Sequence, residues 1–481
     1  MTTQKLAGLE PAAVFEYFEQ ICSIPHGSGN TKAISDFLVA FAKDHDLDYR
    51  QDGLNNVIIF QEGTCGMEDH APVILQGHMD MVCEKDEDCS IDMLTQGLDV
   101  THDGEYVFAN GTTLGGDDGI AVAFALALLA DKSIAHPPLE VVITVDEETG
   151  MEGATGIDLS ELKGRTLINI DSEEEGVFTV SCAGGARGTI TLPVTRRAVY
   201  GPCVRLTVEG LCGGHSGVEI HKNRANANKV MGEFLSRIQK LMPLCLTKLS
   251  GGSKDNVITR SCTATLVAMG SHIDRINGVA EELEREIREK YDEPEVRIYG
   301  DDVDAFGGNA LPTDLTAKVI GLLCAAPNGV QAWSKDIDGL VQTSLNLGVA
   351  QLDKEQLRLT FAVRSSVNEE KRELLGQLAK LAEFNEARYS EMGDYPAWEY
   401  RKESNLRDTM VEVYRQMFAK EPQVVAIHAG LECGILSDKL PGLDCVSIGP
   451  EMHDIHTSRE RLGIASTRRT WEFLLEVLNR L

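Results

Sequence analysis

Short apolar runs that end at Gly, His or an acidic residue alternate with helical patterns in the first part of the chain. The clearest runs are VILQGH (73–78), VVITVDEETG (141–150) and TLINIDSEEEG (166–176), and GIAVAFALALLADKS (119–133) predicts a buried helix. Near-continuous Val, Ile and Leu are typical of strands that are covered on both faces. The pattern therefore predicts an α/β fold with a mostly parallel sheet covered by helices, and functional sites at the carboxyl ends of its strands.

A different pattern begins at about residue 185. The segments GTITLPVTRRAV and CVRLTVEG alternate apolar and polar residues like half-exposed strands, and two amphipathic helical patterns follow them. Beyond YPAW (395–398) a long helical pattern leads to two more candidates for buried strands, QVVAIHAG and LDCVSIGP. We therefore predict one α/β domain in two segments, 1–184 and 395–481, with an α+β domain inserted over 185–394.

The composition of the chain argues against two kinds of binding partner, nucleic acids and membranes. The 481 residues include 75 Asp and Glu against 45 Lys and Arg, and the formal net charge of −30 disfavours nucleic-acid binding, which depends on neutralising phosphates. No run of about 18 apolar residues predicts a membrane span, and the segment MTTQKLAGLEPAAVFEYF lacks the pattern of a secretory signal. We therefore expect a cytoplasmic protein that binds neither nucleic acid nor membrane.

The 12 cysteines are scattered along the chain, and the closest pair, Cys83 and Cys89, is too far apart for a CxxC motif. Reduced thiols are expected rather than a disulfide scaffold or a cysteine-type zinc site. Any bound metal must therefore be held by histidine and carboxylate side chains.

His78 and Asp80, in LQGHMDM, come at the end of the first buried run. Alternate residues of a strand share a face, so the Asp80 carboxylate is suited to hydrogen-bond the far nitrogen of a metal-binding imidazole. For this motif alone, a solvated turn at the end of a strand is the alternative.

Acidic residues mark three further segments. Asp117 and Asp118 precede the apolar helix, where one acid is enough to cap the helix N-terminus and the second is free for another role. Glu147 and Glu148 end an apolar run and point to opposite sides, so that one is suited to bind metal and the other to act as a general base. A charged turn is the alternative, but Asp171 ends a similar run, and neighbouring parallel strands end at the same edge of a sheet.

Near the C-terminus, CVSIGPEMHDIHTSRERL offers His453 and His456 after another predicted strand. His, Asp and Glu side chains thus follow several separate strand ends. This set of donors matches two divalent ions about 3.5–4 Å apart, with one bridging carboxylate and one His plus one carboxylate for each ion.

Several stretches spread over nearly the whole chain match one family: ICSIPHGS, GHMDMV, NGTTLGGDDGI, LEVVITVDEETGMEGA, LINIDSEEEG, CAGG, GLCGGHSGVEIH, NANK, APNGV, TSLNLGV, HAGLECG and VSIGP. By these motifs the chain resembles the aminoacyl-histidine dipeptidases (Xaa-His dipeptidases, cytosol non-specific dipeptidases) of the di-zinc exopeptidase superfamily. GHxD followed by a Glu-Glu pair would indicate only the superfamily, whereas the full set is specific. The resemblance implies that the two-segment domain is catalytic and that the insert is a lid or dimerisation domain.

The resemblance also implies a metal centre of two Zn²⁺ ions per subunit, for which Mn²⁺ or Co²⁺ are substitutes. Asp117 would bridge the ions, Glu147 would be the general base, and Asp80 would orient a ligand histidine. His456 is preferred to His453 because it opens the HTS segment, and Asp118 stands where relatives commonly have Asn. The implied ligands are His78, Asp117 and Asp171 for one ion, and Asp117, Glu148 and His456 for the other.

Substrate contacts are implied outside the metal centre. His215 in GGHSG matches a His that stabilises the oxyanion, and Arg364 in AVRSS and Asn256 in DNVITR match positions that hold the terminal carboxylate of the substrate. His428 and Glu432 in HAGLECG are expected to line the pocket. For GGHSG the alternative is a tight turn without a catalytic role. For Arg364 it is an ordinary salt bridge. The sequence leaves open whether the His acts within its own chain or across a homodimer.

The implied function is hydrolysis of the amide bond of Xaa-His and other unblocked dipeptides by a zinc-activated water. An aminoacylase or another exopeptidase of the same superfamily is one alternative. A non-catalytic metal-binding scaffold is another, although every implied ligand and base position is filled. A cysteine hydrolase built on Cys433 has less support, because no strained nucleophile elbow is visible.

Overall fold

The computed structural model describes residues 5–269 and 273–481, so the start of the N-terminal segment considered above lies outside the described residues. The chain forms two compact units. The boundaries between the units lie just after residues 181 and 399, whereas the sequence predicts them after residues 184 and 394. A short segment near residue 428 also belongs to the second unit. The first unit comprises Met1–Ser181, Tyr400–Ala426 and Leu431–Leu481, and the second comprises Cys182–Glu399 and Ile427–Gly430.

The first unit alternates strands with helices along most of its length. Its elements are α1 (Ala12–Cys22), α2 (Lys32–Asp44), β1 (Asp48–Gln51), β2 (Val57–Gln61), β3 (Val73–His78), β4 (Val100–His102), β5 (Tyr106–Ala109), α3 (Gly116–Ala130), β6 (Leu139–Thr144), α4 (Glu152–Gly156), β7 (Thr166–Asn169), β8 (Val177–Cys182), α9 (Asn405–Phe418), β20 (Gln423–Ile427), α10 (Glu432–Lys439), β21 (Asp444–Ser447), β22 (Met452–His453), β23 (Arg461–Gly463) and α11 (Ile464–Leu478).

An eight-stranded sheet in the order β1-β2-β6-β3-β7-β21-β8-β20 forms the centre of this unit. The four central strands, β6, β3, β7 and β21, run parallel, whereas β1 pairs with β2, β2 with β6, and β21 with β8 in antiparallel fashion. The predicted α/β fold with a helix-covered sheet is confirmed, but the sheet is mixed rather than mostly parallel. The short turn between β1 and β2 permits only antiparallel pairing, because parallel pairing needs a longer crossover.

Both faces of this sheet are buried. Ile59 of β2 and Leu75 of β3 pack in one apolar cluster with residues of α1, α2, α3, α9 and α11. Ile58 and Ile74 point to the opposite face and are also buried. Helix α3 is apolar around nearly its whole circumference, as expected for a helix in the interior. The predicted buried strands and buried helix are therefore confirmed.

The second unit is α+β. Its elements are β9 (Gly184–Pro193), β10 (Arg197–Glu209), β11 (Gly214–His215), a 3₁₀ turn (Ile220–Lys222), α5 (Ala227–Gln239), β12 (Leu244–Gly251), β13 (Val257–Ile258), β14 (Cys262–Ala268), α6 (Ile273–Tyr291), β15 (Arg297–Ala310), α7 (Thr313–Ala325), β16 (Gly329–Trp333), β17 (Val341–Leu352), β18 (Gln356–Ser365), α8 (Asn368–Phe384) and β19 (Arg388–Tyr395).

A nine-stranded sheet in the order β15-β10-β14-β12-β17-β18-β9-β19, with β16 beside β17, forms the second unit's core together with α5, α6, α7 and α8. Along β18, Leu357, Leu359, Phe361 and Val363 pack in the cluster that contains these helices. Strand residues that alternate with them, Arg364 included, therefore point to the other face of the sheet. None of the helices formed by residues 5–269 and 273–481 has the length and apolar character of a membrane span.

Candidate functional site

Several predicted ligands lie at one edge of the sheet in the first unit. His78 is the last residue of β3, the segment with Glu147 and Glu148 follows β6, and Asp171 follows β7. These three strands are parallel neighbours. Their carboxyl ends therefore meet, which brings together side chains that are far apart in the sequence.

Asp117 lies between two histidines. Its Oδ1 is 3.1 Å from Nε2 of His78, and its Oδ2 is 3.2 Å from Nε2 of His456. Nε2 of His78 is also 3.7 Å from Oδ1 of Asp171, and Nε2 of His456 is 2.8 Å from Oε1 of Glu148. One carboxylate oxygen toward each histidine is the arrangement that a bridging ligand requires.

Groups of potential ligand atoms within 4.8 Å of one another recur at this edge. Asp118 belongs to one of them, but its Oδ2 accepts a hydrogen bond from the backbone N–H of His78 at 3.1 Å. His453, the less favoured histidine, belongs to none of the groups identified among the described residues, and its Nε2 lies 3.0 Å from Oε1 of Glu451. The groups are His78, Asp118 and Asp171; His78, Glu147 and Glu148; and Asp117, Glu148 and His456.

Asp80 is fully buried behind His78. Nδ1 of His78 lies 3.0 Å from the backbone oxygen of Asp80 and 3.4 Å from its Oδ1. The same Oδ1 accepts a hydrogen bond from the backbone N–H of Glu147 at 3.1 Å, and the hydroxyl of Ser28 donates to Oδ2 at 2.7 Å. These acceptors favour a proton on Nδ1, which leaves Nε2 free toward Asp117.

Burial and like charge shift the pKa values of this cluster. Burial, assisted by the nearby Asp171 carboxylate, raises the pKa of Glu147 to about 9. Burial also raises the pKa of Asp171 to about 6, and hydrogen bonds to Asp117 and Glu148 raise the pKa of His456 to about 10. Without cations the cluster therefore holds extra protons, as expected where carboxylates are crowded together.

The donor set fits divalent cations. It consists of imidazole nitrogens and carboxylate oxygens, the ligands that zinc and related borderline ions prefer. Crowded, buried carboxylates are unfavourable unless positive charge compensates them. Burial raises the pKa values of Glu147 and Asp171, so positive charge from bound cations would stabilise their ionised forms.

A second polar cluster lies within the second unit and contains His215. Nδ1 of His215 accepts hydrogen bonds from the backbone N–H groups of Gly217 and Val218, both at 3.2 Å. The proton of the neutral ring therefore sits on Nε2, which can donate. Burial, followed by the charge of Arg364, lowers the pKa of His215, so that the ring is neutral at pH 7.

Two other predicted residues contact the loop that carries His215. The backbone N–H of Ser216 donates to the carbonyl of Asn256 at 2.9 Å. A methyl group added at Gly217 would meet the carbonyl of His428 at 2.7 Å, so that the backbones approach closely there. Burial and then the charge of Arg364 lower the pKa of His428 to about 3.

The Arg364 guanidinium has a donor without a hydrogen-bond partner among the described residues. Its Nη1 donates to the hydroxyl of Tyr395 at 3.1 Å, and its buried Nε has no hydrogen-bond partner. No carboxylate within the described part of the second unit forms an ion pair with it. Within those residues the alternative of an ordinary salt bridge is not supported, and the guanidinium has a donor left for an anion.

Glu432 belongs to the first unit and is fully buried. Its Oε2 accepts hydrogen bonds from Nε2 of Gln76 and from the hydroxyl of Thr144, both at 2.6 Å. Gln76 also accepts from Nδ2 of Asn169 at 2.6 Å. This network cross-links three strands, β3, β6 and β7, just before the ends that present the candidate ligands.

Ser28 and Tyr395, which contact Asp80 and Arg364 respectively, are not predicted by the sequence. PHGSGN gives no local signal for such a role, and the Ser is 52 residues from its partner. Tyr395 stands in the YPAW segment, whose sequence indicates a domain boundary and no contact with Arg364.

Known proteins resemble this chain over nearly its whole length. The cytosol non-specific dipeptidase of Escherichia coli (strain K12) is 37% identical over 483 positions, with 99% of both chains covered. The structure of an aminoacylhistidine dipeptidase from Vibrio alginolyticus matches with a TM-score of 0.93 at 36% identity and covers 99% of this chain and 98% of its own. The aminopeptidase PepT of Bacillus cereus, at 13% identity, a TM-score of 0.58 and 98% coverage of both chains, shares the fold.

The family model for peptidase family M20/M25/M40 matches residues 74–480. This range contains every candidate ligand of the first unit and the whole second unit. The predicted resemblance to metal-dependent dipeptidases is therefore confirmed at the level of the family. On the extent of this match and on the identity to the E. coli protein, the chain belongs to peptidase family M20/M25/M40.

Proposed function

We propose that this peptidase is a metal-dependent dipeptidase that hydrolyses the amide bond of unblocked dipeptides, Xaa-His among them. The observation that carries the proposal is the position of Asp117, with one oxygen toward His78 and the other toward His456. The names of the E. coli and V. alginolyticus proteins support the substrate class.

We assign two cations to this cluster, held by His78, Asp117 and Asp171 and by Asp117, Glu148 and His456. When bound, they would supply a Lewis acid for the scissile carbonyl, lower the pKa of the attacking water and offset the crowded negative charge. Zn²⁺ is the proposed ion, and Mn²⁺ or Co²⁺ would satisfy the same donors.

Glu147 is the proposed general base. It takes a proton from the attacking water and passes it to the departing amine, a role that contributes typically about 10²–10⁴-fold to the rate. Its carboxylate lies near His78 and Glu148, as a base acting beside the ligands must. Asp80 holds the tautomer of His78 and, through the backbone of Glu147, the position of the base.

The second unit is proposed to supply the groups that recognise the substrate. The protonated Nε2 of His215 suits a donor to the oxyanion, and the unpaired donor of Arg364 suits the terminal carboxylate, with Asn256 and His428 nearby. We assign a lid or dimerisation role to this unit. His215 then acts within its own chain or across a homodimer. Glu432 is also proposed to line the pocket. Of its two carboxylate oxygens, only Oε1 is free of hydrogen bonds.

A cysteine hydrolase is disfavoured by the environment of Cys433. The thiol is fully buried, and burial, with the neighbouring Cys445, raises its pKa well above the ordinary value. A catalytic cysteine needs the opposite, a lowered pKa and partial exposure. For the location of the protein we propose the cytoplasm, on the strength of the name of the E. coli relative.

A substrate panel tests this function against an aminoacylase or a longer-peptide exopeptidase. The purified protein is assayed with β-alanyl-histidine, Gly-His, a tripeptide and an N-acetyl amino acid. Cleavage of the two free dipeptides in clear preference to the others is expected. Preference for the N-acetyl amino acid or for the tripeptide would replace the proposal with one of these alternatives.

A further inference from the structure

A buried carboxylate joins the segments that present Asp117 and His456. Glu460 follows His456 in HTSRE and is 3% exposed. Its Oε2 accepts hydrogen bonds from the backbone N–H groups of Leu114 and Gly115 at 2.8 and 3.2 Å. Its Oε1 accepts from those of Gly116 and Asp117 at 2.8 and 3.4 Å. Both oxygens are therefore fully used by one short stretch of backbone.

That stretch leads into helix α3, and its four backbone N–H groups all donate to Glu460. The backbone leaves helical geometry at Asp117 and Asp118, so the regular part of α3 begins after these two residues. The sequence predicts that one of these acids caps the helix, but Oδ2 of Asp118 accepts from the backbone N–H of His78. Glu460, 344 residues away from Gly116, binds the turn ahead of the regular helix. Negative charge at a helix N-terminus is also favoured by the helix dipole.

The His456 segment is held in an unusual conformation. Asp454 and His456 have φ angles of 52° and 59°, in the left-handed region that residues with a Cβ seldom adopt. The backbone N–H of Glu460 donates to the carbonyl of Thr457 at 3.1 Å, and the Thr457 hydroxyl donates to the carbonyl of Asp454 at 2.7 Å. Glu460 thus closes the turn that presents His456 while its carboxylate binds the segment that presents Asp117.

We propose that Glu460 is a positioning residue that locks Asp117 against His456, so that both metal subsites are preformed. This inference rests on the proposed two-metal function. Glu460 is not a ligand itself, because its two oxygens are occupied by backbone N–H groups. Loss of this clamp would let Asp117 and His456 move relative to each other, and the binding of both ions would weaken because they share Asp117.

The test measures metal affinity rather than turnover alone. Glu460→Gln keeps the size of the side chain but replaces one acceptor oxygen with an NH₂ group that opposes the backbone donors. Glu140→Gln is the matched control, since Glu140 is also buried and accepts backbone N–H groups of Lys163 and Gly164 at 2.8 and 2.9 Å. Glu140 lies on β6 at the end away from the ligands.

We expect Glu460→Gln to weaken Zn²⁺ binding by about 10–100-fold in chelator competition, as removal of an outer partner of a metal ligand typically does. The absorption spectrum of the Co²⁺-loaded variant should also change, and kcat should fall more than KM rises. Glu140→Gln should bind Zn²⁺ like the wild type. Glu460→Asp, which keeps the charge but is too short to reach both segments, should resemble Glu460→Gln.

Wild-type affinity in Glu460→Gln would overturn the inference, and so would an equal loss in Glu140→Gln. Circular dichroism of the metal-free proteins provides the remaining control. If Glu460→Gln and Glu460→Asp both fail to fold, Glu460 is a folding determinant and not a positioning residue. A wild-type protein that binds no metal would instead refute the proposed function.

Discussion

Oδ1 of Asp80 accepts a hydrogen bond from the backbone N–H of Glu147 at 3.1 Å and lies 3.4 Å from Nδ1 of His78. A single buried carboxylate therefore touches both a proposed metal ligand and the segment that carries the proposed base. Changes at Asp80 should affect metal binding and proton transfer together.

Asp80→Asn tests this coupling. The amide is nearly the same size but lacks the charge that supports the His78 tautomer, so kcat should fall about 10–100-fold, and Zn²⁺ affinity should fall in the same variant. Ser28→Ala removes one hydrogen bond to Asp80 and leaves the charge, so its effect should be smaller. Steady-state kinetics with chelator competition measure both quantities, and an effect of Ser28→Ala equal to that of Asp80→Asn would contradict the coupling.

Glu147→Gln separates proton transfer from metal binding. Because Glu147 is the proposed base and not a ligand, we expect bound metal to stay at the wild-type level while kcat falls about 10²–10⁴-fold. Metal analysis of the purified variant and initial rates provide the measurement. Glu152→Gln, at an exposed position in the first turn of α4, is the control and should leave both unchanged. Substantial turnover by Glu147→Gln at full metal content would remove Glu147 from the mechanism.

Arg364→Met tests recognition of the substrate carboxylate. Loss of a hydrogen bond to a charged group costs about 1.5–3 kcal/mol, so KM for a dipeptide should rise about 10–100-fold. Hydrolysis of the matching dipeptide amide, which lacks that carboxylate, should be slow in the wild type and little changed in the variant. Arg358→Met, on the same strand and exposed, is the control. An equal effect on the dipeptide and on its amide would rule out this role for Arg364.

Metal affinity should depend on pH with a definite sign. The pKa of His456 is about 10 without metal, because Asp117 and Glu148 stabilise its charged form. Below that pH the ring must lose a proton before it can act as a ligand, so affinity should rise with pH, by about tenfold per pH unit for each proton released. Calorimetric titration of the metal-free protein with Zn²⁺ at pH 6 and 8, in buffers of different ionisation enthalpy, counts these protons. Equal affinities and no proton release would contradict the expectation.

The sequence predicts that these His and acidic side chains of the first unit meet at one sheet edge, because its signals for them are local. His78 ends an apolar strand, Asp117 begins an apolar helix, and Asp171 follows another strand, and parallel strands bring such ends to one edge. The sequence also predicts the helix-covered sheet and the insertion of an α+β segment. Strand direction at the sheet margins is less predictable, since it depends on pairing partners far along the chain.

Contacts between distant residues account for what the sequence did not predict. Ser28 reaches Asp80 and Tyr395 reaches Arg364 without any motif that links the members of each pair. Two acids also stand where the sequence predicts a helix cap, yet Asp118 accepts from the backbone of His78, and Glu460 from the C-terminal segment binds the turn before the regular helix. Propensity rules describe neighbours in sequence, and such contacts form only when the tertiary fold is complete.

Removal and stepwise return of metal tests the central claim most directly. The protein is stripped with a chelator, shown by circular dichroism to remain folded, and titrated with Zn²⁺ while Gly-His hydrolysis is followed. Because Asp117 lies between two histidine sites, activity should be absent in the stripped protein and should reach its maximum at two ions per chain. Full dipeptidase activity in the folded, metal-free protein would contradict the account, as would a maximum at one ion per chain.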